Sequence, residues 1–340
     1  MSVGVAIIGC GLVGRKRAAA LGDARLVVCS DLLRERAEAL AQTWPRAHVA
    51  AEWRSAIDRA DVDVVVVATT NDALAEVARY GLAAGKHLLV EKPAGRTLRE
   101  IDSLIEATQQ SRRLVRVGFN HRYHPAIRKA RELFTDGLLG DLMFVRGRYG
   151  HGGRLGYEKE WRANPEQSGG GELIDQGVHL IDLSRWFLGE FPNVSGFAHT
   201  YFWRMPVDDN AFLQLRTAHD QTAWLHVSCT EWKNLFSLEI YGRRAKLLIE
   251  GLGGSYGTER LTFYQMLPEM GPPVTTTWDY PAPDSSWAVE FAEFVEDIRL
   301  GRPPAASLQD ARAALAIVEE VYRQSGHQFS AFAGAPASHR

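Results

Sequence analysis

The sequence holds little that would tie it to an oxidising compartment, a bilayer or a polyanion. Only three cysteines occur in 340 residues. Cys10, Cys29 and Cys229 are scattered, with no CxxC pair and no zinc-ligand spacing, so a disulfide framework cannot be the basis of the fold. No apolar run approaches the ~18 to 20 residues that a membrane-spanning helix needs. The apolar run at residues 3–8 has no basic segment before it, which predicts a strand and not a secretion signal. A formal net charge of -2 leaves no excess of positive charge for nucleic acid or an anionic membrane. Together these absences predict a soluble, cytoplasmic protein whose partners are small molecules. No internal repeat is evident.

What is present is globular. Hydrophobic content of 46% and charged content of 24% suit a folded chain, and its length suits two cores. The first third alternates apolar runs with helical patterns. Residues 3–8, 25–30, 48–50, 62–68, 87–90 and 114–118 read as strands, and 15–21, 33–43, 71–84 and 96–110 as helices. That alternation predicts a doubly wound parallel sheet. Gly9-x-Gly11-x-x-Gly14 lies between the first strand and the first helix, where glycines permit a tight turn and let amides approach a pyrophosphate. Asp31 ends the next strand, the place of the acid that bonds the adenosine ribose. An acid there would repel a 2′-phosphate, so NAD is expected over NADP, with Arg34 near enough to soften the preference.

Two further stretches carry chemistry. Glu91-Lys92-Pro93 follows the strand at 87–90, at the carboxyl edge where such sheets bind ligands, and places an amine there. Gly169-Gly170-Gly171 precedes a run with helical apolar spacing in which Asp175 and His179 are i and i+4, on one face, with Asp182 a turn on. A carboxylate and an imidazole aimed together can do acid/base work. From Asn120 onward the pattern changes. A helix at 126–134 is followed by strands at 142–149, 194–201, 211–217, 222–229 and 236–241, with two more at 246–250 and 261–266. Strands without intervening helices predict an open, mainly antiparallel sheet. Helices at 287–300 and 308–324 close the pattern. Expected boundaries are a Rossmann domain at 1–120, an α+β domain at 121–329 and a disordered tail at 330–340.

The three motifs, in this order, resemble the Gfo/Idh/MocA oxidoreductases, relatives of glucose-fructose oxidoreductase and myo-inositol dehydrogenase. The resemblance covers almost the whole chain and implies an NAD(P)-dependent enzyme. It places Lys92 and His179 beside the substrate carbon, with Asp175 binding or orienting there. Thr69 and Asn71 match the family's loop beneath the nicotinamide, although Thr70 stands where a proline is usual and Leu74 where a histidine is frequent. The resemblance also implies that the open sheet supplies the interface of a homo-oligomer, a dimer or tetramer.

The sites expected are therefore as follows. Gly9, Gly11, Leu12, Val13, Gly14, Asp31, Arg34, Thr69, Asn71, Glu91 and Lys92 hold the cofactor, NAD. Lys92, His179 and Asp175 are catalytic. Arg122, Tyr123, Trp161 and Arg162, with the catalytic three, contact substrate, since aromatic faces and guanidinium groups suit a ring bearing hydroxyls. His121 and His124 lack a carboxylate cluster, and no metal is expected. Trp203, Trp224 and Trp232 are assigned to core or interface. The expected reaction is hydride transfer at a secondary alcohol of a sugar, sugar derivative or cyclitol. A bilin or aryl-diol reductase and a non-catalytic cofactor sensor are the alternatives.

Overall fold

A computed structural model describes residues 2–327, so the tail expected at 330–340 lies outside the described residues. The chain divides into two compact units. The first runs to Phe119 and takes in Gln167–Gly169 and Trp287–Leu315; the second comprises Asn120–Glu166, Gly170–Ser286 and the chain from Ala316 onward. The division is not the contiguous one anticipated, because most of the Ser286–Leu300 helix clusters with the first unit.

In the first unit, β1 (Gly4–Ile8), α1 (Leu12–Ala19), β2 (Arg25–Ser30), α2 (Arg34–Gln42), β3 (His48–Val49), α3 (Trp53–Ile57), β4 (Val64–Val67), α4 (Asn71–Ala83), β5 (His87–Glu91), α5 (Leu98–Ser111) and β6 (Val115–Gly118) alternate. The strands form one parallel sheet in the order β3-β2-β1-β4-β5-β6. β1 and β4 are buried at every position, which is why their sequences, GVAII and VVVV, show no alternation. Helix ends follow local chemistry. Gly85 at φ +73° stops α4, and the Thr97 hydroxyl caps α5 by accepting the Glu100 N–H at 3.2 Å. Two details differ from expectation. α1 starts at Leu12 and not Arg15, since the glycine loop itself supplies its first turn. The short α3 lacks a long enough pattern to be seen in sequence.

The second unit is built from α6 (Pro125–Thr135), β7 (Leu142–Gly150), the short α7 (Pro165–Ser168) at its border, α8 (Val178–Leu188) and the strands β8 (Asn193–His199), β9 (Asn210–Arg216), β10 (Thr222–Ser228), β11 (Leu235–Gly242), β12 (Ala245–Glu250), β13 (Glu259–Gln265) and β14 (Val274–Tyr280). These strands form an eight-stranded sheet ordered β14-β13-β12-β11-β7-β10-β9-β8. All neighbours are antiparallel except β7 and β10, which run parallel. Ala223, Leu225 and Val227 of β10 are buried, while Trp224 between them is 52% exposed. Trp232 is also exposed, so neither tryptophan is core in this chain. Trp203 is half-buried and donates its ring N–H to Cys229 O at 3.0 Å. After the sheet come α9 (Ser286–Leu300) and α10 (Leu308–Gln324).

Among the described residues, no helix is long and apolar enough to cross a membrane. The most unusual feature of the first unit's core is charge. Arg17 of α1 is 1% exposed. It donates from Nε to Glu91 of β5 at 2.6 Å and from Nη1 to Glu290 of α9, with the Trp287 ring 4.4 Å from its guanidinium carbon. Arg116 of β6, fully buried, pairs with Asp297 at 2.5 Å and Glu293 at 2.9 Å. Burial pushes the Glu290 carboxyl up, and Arg17 pulls against it. Removing one partner of such a group leaves the rest uncompensated. Arg17→Ala should therefore cost roughly 3–5 kcal/mol, read as a shift of the urea midpoint at neutral pH.

Candidate active site

The glycine loop follows from local geometry. Gly9 sits at φ +93°, and a Cβ there would lie 2.4 Å from Ala68 O; a Cβ on Gly14 would lie 1.9 Å from Gly9 O. Those two glycines are required by the packing of the loop on β1 and β4. Gly11 is different, because a Cβ there would meet nothing within 4 Å. It is the N-cap residue of α1, beside the first amides of that helix. An open approach beside N-terminal amides fits the pyrophosphate of a dinucleotide. Leu12 is exposed and Val13 half-buried on the first turn of α1.

Asp31 is brought to this loop by the backbone. Its carboxylate accepts the Cys10 N–H at 2.6 Å and the Leu33 N–H at 2.8 Å. Arg34 is exposed and pairs with Glu38 at 2.7 Å. Thr69 directly follows β4 and adjoins Gly9, whose Cβ would lie 2.8 Å from the Thr69 N. Asn71, 5% exposed, donates to Ser168 O at 2.8 Å. Glu91 is the buried partner of Arg17, and Lys92, joined to Pro93 by a cis peptide, is half-buried at the end of β5. The loop, Asp31 and Thr69 thus lie together at the carboxyl edge of the sheet, as ligand sites of such sheets do.

The second unit carries the other motif. Where a single α-helix was expected, Leu173–Gly177 forms a π-helical turn that passes into α8. Asp175 lies in the π-turn and His179 in the first turn of α8. Such turns wind an extra residue into the helix and recur at functional sites. The turn is held by Asp208, whose carboxylate accepts the Gly171 N–H at 2.9 Å, the Leu173 N–H at 2.8 Å and the Tyr322 hydroxyl at 2.7 Å. Gly170 and Gly171 permit this, since a Cβ on either would collide with Tyr322 or Asp208. Burial pushes the Asp208 carboxyl up, against the pull of Tyr322 and the two amides.

Around the turn the side chains are mostly polar and buried or half-buried. Arg162 donates from Nε to Asp175 at 2.9 Å and lies 4.7 Å from the Trp161 ring. The His179 ring stacks on His121, centroids 3.7 Å apart and planes 18° off parallel. His121 adjoins the Asn120 side-chain oxygen at 3.2 Å. Tyr149 packs on both imidazoles, and burial raises its phenol well above the ordinary value. Burial alone would lower the His151 imidazole, but Glu172 and Asp175 together hold it above its usual value. The structure thus brings Asp175, His179, Trp161 and Arg162 into one region. Arg122 is buried, with its Nε and Nη2 both donating to Asp182, at 2.8 and 2.5 Å, and Trp186 against it. Tyr123 is buried at 5% exposure. His124 pairs with Glu259 at 3.0 Å, and no cluster of three metal-ligating side chains occurs among the described residues.

Asp208, Glu172, His151 and Tyr322 were not singled out in the sequence. Only the acidic run Asp208-Asp209 ahead of β9 hints at a buried anchor. Asp208→Asn turns an amide NH2 toward backbone N–H groups, and should cost about 1–3 kcal/mol, the range for a broken buried hydrogen-bond set. Thermal unfolding of the variant beside the wild type checks this.

Similarity to known proteins extends over both units. Residues 3–119 match the family model for the oxidoreductase family with an NAD-binding Rossmann fold, and residues 127–248 that for the GFO/IDH/MocA C-terminal domain. Levoglucosan dehydrogenase of Pseudarthrobacter phenanthrenivorans is 32% identical over 166 residues, 46% of this chain and 40% of that protein. Inositol 2-dehydrogenase 2 of Saccharopolyspora erythraea is 31% identical over 226 residues, 64% of each. D-glucoside 3-dehydrogenase of Escherichia coli is 31% identical over 204 residues, 58% of this chain and 57% of that one. The match thus spans from 40% to 64% of the length of these relatives. Among solved structures, levoglucosan dehydrogenase in complex with NADH superposes with a TM-score of 0.86 at 23% identity, covering 96% of this chain and 98% of that one. Aldose-aldose oxidoreductase from Caulobacter crescentus gives 0.83 at 24%, covering 96% and 98%. With a glycine loop, an acid at the end of β2, an EKP strand end and an Asp/His turn on an open sheet, the chain belongs to the Gfo/Idh/MocA oxidoreductases, and its N-terminal domain is that family's NAD-binding Rossmann fold.

Proposed function

We propose that this protein is an NAD-dependent dehydrogenase that oxidises a secondary alcohol of a sugar, sugar derivative or cyclitol, or reduces the matching ketone. The observation that carries this reading is the polar, buried to half-buried surround of Asp175 and His179. Arg162, His151, Tyr149 and His121 offer hydrogen-bonding and charged groups where a bilin or aryl diol would need an apolar slot. The names of the relatives, inositol, levoglucosan and glucoside dehydrogenases, support the same class.

NAD, when bound, accepts or returns the hydride. The residues that would hold it are Gly9, Gly11, Leu12, Val13 and Gly14 for the pyrophosphate, Asp31 for the ribose hydroxyls, and Thr69, Asn71, Glu91 and Lys92 toward the nicotinamide. Lys92 and His179 share the proton of the reacting hydroxyl. The stacked His121 ring fixes the plane of His179, so that its imidazole meets the hydroxyl in one orientation. Asp175 binds a neighbouring hydroxyl and is itself oriented by Arg162. Tyr123, Trp161 and Arg162 line the substrate, while Arg122, committed to Asp182, stiffens the wall behind them. All three cysteines are unpaired, which fits a reducing cytoplasm. Exposed Phe144, Phe197 and Trp224 on the open sheet support homo-oligomerisation.

Two tests follow from these assignments. With a panel of cyclitols, aldoses, amino sugars and nucleotide sugars, at least one member should reduce NAD. Its deoxy analogue next to the oxidised carbon should react about 10²-fold more slowly. On that substrate Lys92→Met and His179→Ala should each lower turnover by ~10² or more, while fluorescence-detected NAD binding by Lys92→Met persists. Firm NAD binding with no active panel member would sink the dehydrogenase reading. For the cofactor, kcat/KM should favour NAD over NADP by about tenfold or more, and Asp31→Ala should narrow the gap. A clear NADP preference of the wild type would overturn the role of Asp31.

A further inference from the structure

A second carboxyl stands three residues before Asp175 and has no part in the reading above. Glu172 is 2% exposed, and neither of its carboxyl oxygens accepts a hydrogen bond from a described residue. Its backbone N–H goes to Asp208 O at 3.0 Å. The imidazole that faces it is His151, with Nε2 3.6 Å from Oε2. Asp175, Asp208, Tyr149, Tyr157, Tyr256 and Cys229 complete its electrostatic surround. Burial pushes this carboxyl up, partly opposed by His151. A buried acid so poorly supplied with donors costs stability, so its place in the turn calls for a reason other than stability.

That reason lies in what His151 holds. The ring Nδ1 accepts the Gly153 N–H at 3.0 Å, which leaves the ring proton on Nε2, toward Glu172. The same ring meets Tyr157 edge-on at 5.5 Å. At the far end of this segment, Arg162 is bound to Asp175 at 2.9 Å. Two acids of one turn therefore grip residues 151–163 at both ends, Glu172 through His151 and Asp175 through Arg162. We infer that Glu172 is a positioning residue, which acts through His151 to fix the start of the 151–163 segment so that Tyr157, Trp161 and Arg162 form a fixed wall beside Asp175. The role of that wall in substrate recognition rests on the dehydrogenase reading; the grip itself does not.

The test uses the full chain. Glu172→Leu fills the buried space without a carboxyl that is short of donors, and should leave the melting temperature unchanged or higher. Amide exchange in peptides covering 151–163, followed by mass spectrometry without substrate, should quicken by about tenfold, the change that a lost restraint of about 1.4 kcal/mol gives. His151→Ala should do the same, and the double variant no more than either alone. On an active panel polyol, KM should rise by a similar factor with kcat less changed. Should Glu172→Leu fail to fold, Glu172→Met, equally without an acceptor oxygen, takes its place in the cycle with the same expectations. Unchanged exchange in both single variants, or additive effects in the double, overturns the proposal. Exchange is read without substrate, so it decides the grip independently, and an inactive panel counts against the dehydrogenase reading alone.

Discussion

The second unit depends on one buried carboxylate. Asp208 gathers two backbone N–H groups of the glycine turn and the hydroxyl of Tyr322. A helix start leaves several amide hydrogens without partners inside the helix, and here a side chain from far along the chain supplies acceptors for them. Because Asp208 sits just ahead of β9, the turn that carries Asp175 is referenced to the sheet. Gly170 and Gly171 are consequences of this clamp, since any side chain there would occupy the space of Tyr322 or Asp208.

Charge burial recurs in both units, and in each it ties a site-bearing element to a distant one. In the first, Arg17 connects the glycine-loop helix to Glu91, the residue before Lys92, and to Glu290 of α9. In the second, Arg122 and Asp182 bind the 120–123 turn to α8. Such pairs are weak contributors to net stability but cannot be broken singly. They restrict which arrangements of these elements are allowed, which is what a site with several converging side chains requires.

What could be read from the sequence was local. The glycine loop, the valines of β4 and the Asp31 position announce themselves through spacing within one βαβ unit. The helix Leu308–Gln324 shows a clean apolar stripe. β14 was missed because its VTTTWDY sequence is exposed on both faces and so has no alternation to detect. The π-turn was missed because five residues cannot distinguish its period from that of an α-helix. The pairing of Arg122 with Asp182 was not legible because a sequence does not reveal a partner sixty residues away. Glu172, His151 and Asp208 were overlooked for a related reason: acids and imidazoles are taken for surface residues unless their burial is seen.

The position of β7 has a further consequence. The strands β8-β9-β10 form one antiparallel meander and β11 to β14 another, each with short connections between neighbours. β7 lies between them, antiparallel to β11 and parallel to β10. It is the seam of the sheet, and the parallel side of that seam joins residues far apart in the chain. Each meander can form from local pairing, whereas the seam pairs strands separated by the long excursion through α8 and so carries the larger loop-closure cost. The Asp175 turn packs against β7 and β10, so it rests on the one parallel pairing of this sheet.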